Sequence, residues 1–170
     1  MNTAGELLRD GLGDHWVDAA PFRALLRYLM ALGRVSAADL AALTGLPDGL
    51  VEHLVHGRDG RRVRRISAYA AFALIQLTAE QVRGLRDVMV PSGLARAKVE
   101  RLRQAGRSET EVMDAIGAAP PEQHAIATSG GSCSQLLLVR LRGLCRQLDA
   151  DLALDGCDSR LSDPGILDAA

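Results

Sequence analysis

Apolar positions recur every three or four residues along most of the chain, and Gly, Pro and capping residues interrupt them at short intervals. That pattern predicts a succession of short helices. Phe22, Leu25, Leu26, Leu29 and Met30 make one face of a helix from Pro21 to Leu32, which Gly33 is expected to end. Ser36 and Asp39 have capping-box spacing, so Ala37 opens a second helix with Leu40, Ala41 and Leu43 on its buried side. Gly45 stops it, and Pro47 with Asp48 restarts the chain. Leu50, Val51 and Leu54 line the inner side of a third helix, closed by Gly57. Ser67 caps a fourth, in which Ala70, Ala71, Leu74 and Ile75 pack inward. Thr78 with Gln81 opens a fifth that runs through Val82 and Leu85 to about Val88.

After Pro91 the pattern begins again. A helix from Ala95 to Ala105 turns Val99 and Leu102 inward and ends at Gly106. Ser108 and Glu111 repeat the Ser36–Asp39 box 72 residues later, and at that offset Leu40 matches Val112, Gly45 matches Gly117 and Leu54 matches Ile126. Pro120 and Pro121 start the next helix, and Ser132 is expected to cap a long final one carrying Leu136, Leu137, Val139, Leu141, Leu144 and Leu148. A repeated four-helix unit is the most economical architecture.

Ala41, Gly45, Val51 and Leu54 have the spacing of a helix-turn-helix skeleton, and here the sequence resembles the helix-turn-helix DNA-binding family. The run VMVPSGLARAKVERLRQAGRSETEVMDAIG, from Val88 to Gly117, with YAAFALIQLTAEQV before it, looks like tandem helix-turn-helix proteins of actinobacteria and their phages. The resemblance covers residues 21–148. It implies an all-α fold of two helix-turn-helix-like units in tandem, the second degenerate, and sequence-specific binding of double-stranded DNA in transcriptional regulation. The chain then divides into an N-terminal arm (1–20), unit 1 with its linking helix (21–90), unit 2 (91–148) and an acidic tail (149–170).

In that reading the third helix exposes Asp48, Gly49, Glu52 and His53 toward a major groove. Arg58, Arg61, Arg62, Arg64 and Arg65 follow within eight residues and are placed to grip phosphates. Glu52 either accepts a hydrogen bond from a cytosine amine or sits on a solvated face. Specificity is expected to rest on a few side chains such as Glu52 and His53; His53 and His56 could also contact phosphate or sense pH, although surface histidines usually do neither. Unit 2 departs from the pattern: Met113 replaces Ala41, Gln123 replaces Val51, and PPEQHAIATSGG contains no arginine. Unit 2 is therefore expected to pack, to dimerise or to bind a protein partner. Its first helix carries Arg96, Lys98, Arg101, Arg103 and Arg107, but Glu100 among them makes a salt-bridged surface an equal reading. A dimer would take half-sites about one helical turn apart.

Composition changes this picture little. The hydrophobic share of 48% supplies a core, and an aromatic share of only 3% leaves it to Leu, Ala, Val and Ile, which suits helices. The net charge of −1 hides an asymmetry: from Asp149 onward six aspartates meet one arginine, so the remainder is about +4. The tail is expected to be mobile and to shield the arginines by mimicking phosphate. Trp16 is expected to anchor the arm. No apolar run is long enough to cross a membrane and the N-terminus does not read as a signal peptide, so a cytoplasmic location is expected. Cys133, Cys145 and Cys157 lie twelve apart, not at metal-ligand spacing, and are expected to be reduced. No catalytic motif, cofactor loop or metal site stands out, so no enzyme is expected. The competing class is a non-catalytic adaptor or anti-repressor with the same fold and no DNA binding.

Overall fold

The computed structural model describes residues 15–128 and 131–161. Their elements are β1 (Trp16–Asp18), α1 (Ala20–Gly33), α2 (Ala37–Thr44), α3 (Asp48–His56), β2 (Arg65–Ser67), α4 (Ala68–Ile75), α5 (Ala79–Gly84), β3 (Met89–Pro91), α6 (Gly93–Gln104), α7 (Glu109–Ile116), α8 (Pro120–Ala127), β4 (Ser132–Ser134) and α9 (Gln135–Leu161). The amphipathic stretch Glu6–Arg9 and residues 162–170 lie outside the described residues.

The protein is mostly helical, consistent with the all-α expectation, and adds two small antiparallel sheets that the expectation did not include. In β1–β2, Val17 faces Ile66; in β3–β4, Val90 faces Cys133. Each strand has three residues, too few to establish an alternating pattern, and each pair joins segments some forty or more residues apart. Strand, three helices, strand, helix therefore occurs twice in the same order. The repeat extends to detail. Ser36 and Ser108 each complete a capping box, and Gly45 and Gly117 end α2 and α7 in the left-handed region, at φ 75° and 62°. Leu40, Val112, Leu54 and Ile126 are all buried.

Each half closes a core of its own, and α9 serves both. Leu136 and Val139 join the core of the first half, while Leu137, Leu138, Leu141 and Cys145 belong to the second. Between these stripes Arg140 reaches Asp39, with Nε donating to Oδ1 at 2.9 Å. Asp39 is 3% exposed and still accepts the Ser36 backbone N–H of its capping box. Burial alone would raise its carboxyl. The Arg140 and Ser36 hydrogen bonds, with the guanidinium charge, outweigh burial and hold it below its ordinary value.

Several boundaries differ from the sequence reading. Gly33 is the last residue of α1, but the left-handed residue that caps the helix is Arg34, at φ 51°. Gly33 is instead a point of close approach: a Cβ there would lie 2.5 Å from Val82 Cγ1 and 2.8 Å from Val82 O, on α5. Gly33→Ala should therefore cost about 2 kcal/mol through overpacking, despite alanine's better helix propensity. Urea unfolding checks this, and an unchanged midpoint would mean that α1 and α5 part freely.

Helix α5 ends at Gly84, not near Val88; one further turn, closed by the Asp87 and Val88 amides on Gly84 O, carries the chain into β3. Ser132 lies in β4, and α9 begins at Gln135. Trp16 is 59% exposed, so the side chain is no anchor; backbone pairing of β1 with β2 holds this segment. Residues 149–161 are not an unpatterned tail, since α9 continues through them. Ala150, Leu152 and Ala153 are good helix formers, and no Gly or Pro intervenes before Gly156.

Candidate nucleic-acid interface

Helix α3 is nine residues long, too short to persist alone, so its attachments decide where it sits. Val51, Leu54 and Val55 bury its inner side. Its C-terminal carbonyls are held by two arginines of α1: Arg23 Nε donates to Leu54 O at 3.0 Å and Arg27 Nη2 to Val55 O at 2.9 Å. A cation at a helix C-terminus also opposes the exposed carbonyl dipoles. At the other end Asp48 Oδ2 accepts from Gln147 Nε2 of α9 at 2.6 Å. Sequence reasoning missed all three partners. Arg23 and Arg27 stand four apart on an apolar helix, and that was the available signal.

On the outer side Gly49, Glu52 and His56 are exposed, while His53 and Asp48 are half-buried. Glu52 Oε1 lies 3.5 Å from His56 Nε2, one turn on, so the pair lies along the exposed surface.

After α3 the chain forms a tight hairpin. Arg58 and Arg61 exchange backbone hydrogen bonds, both at 2.8 Å, around Asp59 at φ 50° and Gly60 at φ 73°. Two successive positive-φ residues make a type I′ turn, for which Asp-Gly is a preferred sequence. Gly57 is required as well, since a Cβ there would lie 2.8 Å from Arg61 O. The turn sets Arg58, Arg61 and Arg62 around one shallow depression. Arg58 is 74% exposed and within 3.7 Å of Asp59, an ion pair too solvated to occupy it firmly. Val63 packs on the core, and Arg23 also donates to its carbonyl. Arg64 and Arg65 are exposed, Arg65 across the sheet from Asp18. The five predicted arginines thus run in one exposed segment from hairpin to strand.

In the second half the connection at the equivalent place, residues 128–131, carries no arginine. Equivalent helices lie 72 residues apart, as Ala37 to Glu109, whereas Arg65 to Ser132 is only 67, because α8 is one residue shorter than α3 and the connection after it four residues shorter. On α6, Arg101 pairs with Asp149, and Arg103 lies 3.4 Å from Glu100 and 3.9 Å from Glu109. Asp149, the first acid of the expected tail, therefore serves α6 and not the arginine cluster. Gln123 donates to Ala118 O at 2.9 Å, which accommodates the polar residue at the place of Val51.

Cys133 and Cys145 are buried, free thiols, and burial, reinforced by Glu122, pushes the Cys133 thiol up. Among the described residues no group of three His, Cys, Asp or Glu could hold a metal, and no helix is long and apolar enough to cross a membrane. No protein-family model, curated protein or solved structure matches the chain.

Proposed function

We propose that the protein is a sequence-specific DNA-binding transcriptional regulator, built as two helix-turn-helix units of which the first reads DNA. The observation that carries this reading is the arginine-bearing hairpin that directly follows α3, a short helix tied down at both ends. Asp48, Gly49, Glu52 and His53 are the groove-side residues of α3. Arg58, Arg61, Arg62, Arg64 and Arg65 hold phosphates, a task suited to the planar guanidinium fork. Base contacts specify and phosphate contacts position, so affinity belongs to the arginines and sequence preference to α3. The second half contributes packing.

The test is retention of genomic DNA fragments by the purified protein, with sequencing of what is retained, beside an Arg64→Ala/Arg65→Ala variant. The expected result is a shared motif that the variant enriches poorly. Retention at background level in low salt would rule the reading out. It would favour a protein-binding adaptor, for which the acidic pair Asp48 and Glu52 on α3 is the specific supporting feature.

A further inference from the structure

Helix α9 meets both turns of the repeated motif in the same way. A Cβ on Gly117 would lie 3.1 Å from Arg140 Nη1, and one on the equivalent Gly45 would lie 3.6 Å from Arg146 Nη1. Each guanidinium also donates to a carbonyl of the helix before the turn: Arg140 Nη1 to Ile116 O at 2.7 Å, and Arg146 Nη2 to Ala41 O at 3.0 Å. One helix thereby supplies a cation to each of two helix C-termini, where positive charge is favourable. Between these arginines α9 lies close against α2 at Gly143, where a Cβ would come into contact with Ala42 Cβ at 3.4 Å. One residue past Arg146, Gln147 bonds Asp48, the first residue of α3.

We infer that α9 is the positioning element of the DNA-reading helix: through Arg146 and Gln147 the second half fixes where α3 begins. The inference rests on the DNA-binding function proposed above. Base readout depends on side chains held to within about 0.5 Å, whereas phosphate attraction tolerates looser geometry. Loosening the start of α3 should therefore erode sequence preference and spare the phosphate grip. That gives the degenerate half a task that needs no arginines of its own.

The experiment compares the full chain with Gln147→Ala and with the control Gln104→Ala, which also loses one exposed hydrogen bond, to Glu100, but on α6. Amide exchange at Leu50 and Val51, which donate to Pro47 O, reads the first turn of α3 without DNA. Exchange there should be about three- to tenfold faster in Gln147→Ala and unchanged in Gln104→Ala, matching the loss of one solvent-exposed hydrogen bond. Specific over non-specific DNA affinity should fall by a similar factor with the salt slope unchanged. Unchanged exchange at both amides overturns the inference whether or not DNA binds. Faster exchange with specificity intact overturns it too. Faster exchange in a protein whose wild type retains no DNA overturns the proposed function, and with it any reading role for Gln147.

Discussion

Asp39→Ala should destabilise the protein by about 3 kcal/mol, a large part of the total for a domain of this size. The substitution leaves Arg140 with a charge and no carboxylate in a setting where its side chain is only 29% exposed. It also removes the acceptor for the Ser36 backbone N–H at the start of α2. Because Arg140 also donates to Ile116 O, the loss should be felt in both halves. One cooperative chemical-denaturation transition at a lower midpoint is the expected record. Two separated transitions would show that the halves are coupled less by this pair than by the apolar contacts of α9. Combining Asp39→Ala with Arg140→Met should restore part of the loss, since a buried ion pair replaced on both sides by uncharged groups costs less than one broken on one side.

The same carboxylate fixes the sign of an acid dependence. Its folded pKa lies below the ordinary value of 3.8, so its stabilising effect is complete above that value and is lost as pH falls through the lower, folded one. Stability measured from pH 5 to 2 should therefore decline below about pH 4, and Asp39→Asn should flatten part of that decline. An identical acid profile in the variant would assign the decline to other carboxylates.

The residues that the sequence made legible are those whose partners are near in the chain. Ser36 with Asp39, Thr78 with Gln81 and Ser108 with Glu111 are capping boxes because each hydrogen bond spans three residues, and all three form. Gly45 and Gly117 were legible for the same reason, as a left-handed residue at a helix end favours glycine whatever packs nearby. What was not legible depends on distant partners. Asp39 reads as a cap, and nothing local reveals that Arg140, 101 residues away, is its second partner. Gly33 reads as a stop signal, but its role comes from Val82 on another helix. The strands are set by pairings such as Val17 with Ile66. The hairpin is a different case. Asp59-Gly60 is a local turn signal present in the sequence, and it sits inside the arginine run whose charge is the more conspicuous feature.

Replacing Arg58, Arg61 and Arg62 together by alanine should weaken DNA binding about a hundredfold at low salt and reduce the salt slope by about 3, roughly one for each lost phosphate contact. The fold should be unaffected. The turn is closed by backbone hydrogen bonds between positions 58 and 61, and Asp59-Gly60 remains in place. The three side chains project into a shallow open depression, where their removal leaves no cavity. Sequence preference should survive among the fragments still bound, because the α3 residues proposed to face the groove are untouched and Arg23 and Arg27 still hold its C-terminal carbonyls. Isotherms of wild type and variant across a series of salt concentrations check the affinity and the slope, and sequencing of the retained fragments checks the preference. Equal slopes would place the phosphate grip elsewhere, with Arg64 and Arg65 on and beside β2 next to be tested. A lost motif at unchanged slope would make the hairpin a reader of bases, its arginines entering a groove beside α3 in place of lying along the backbone.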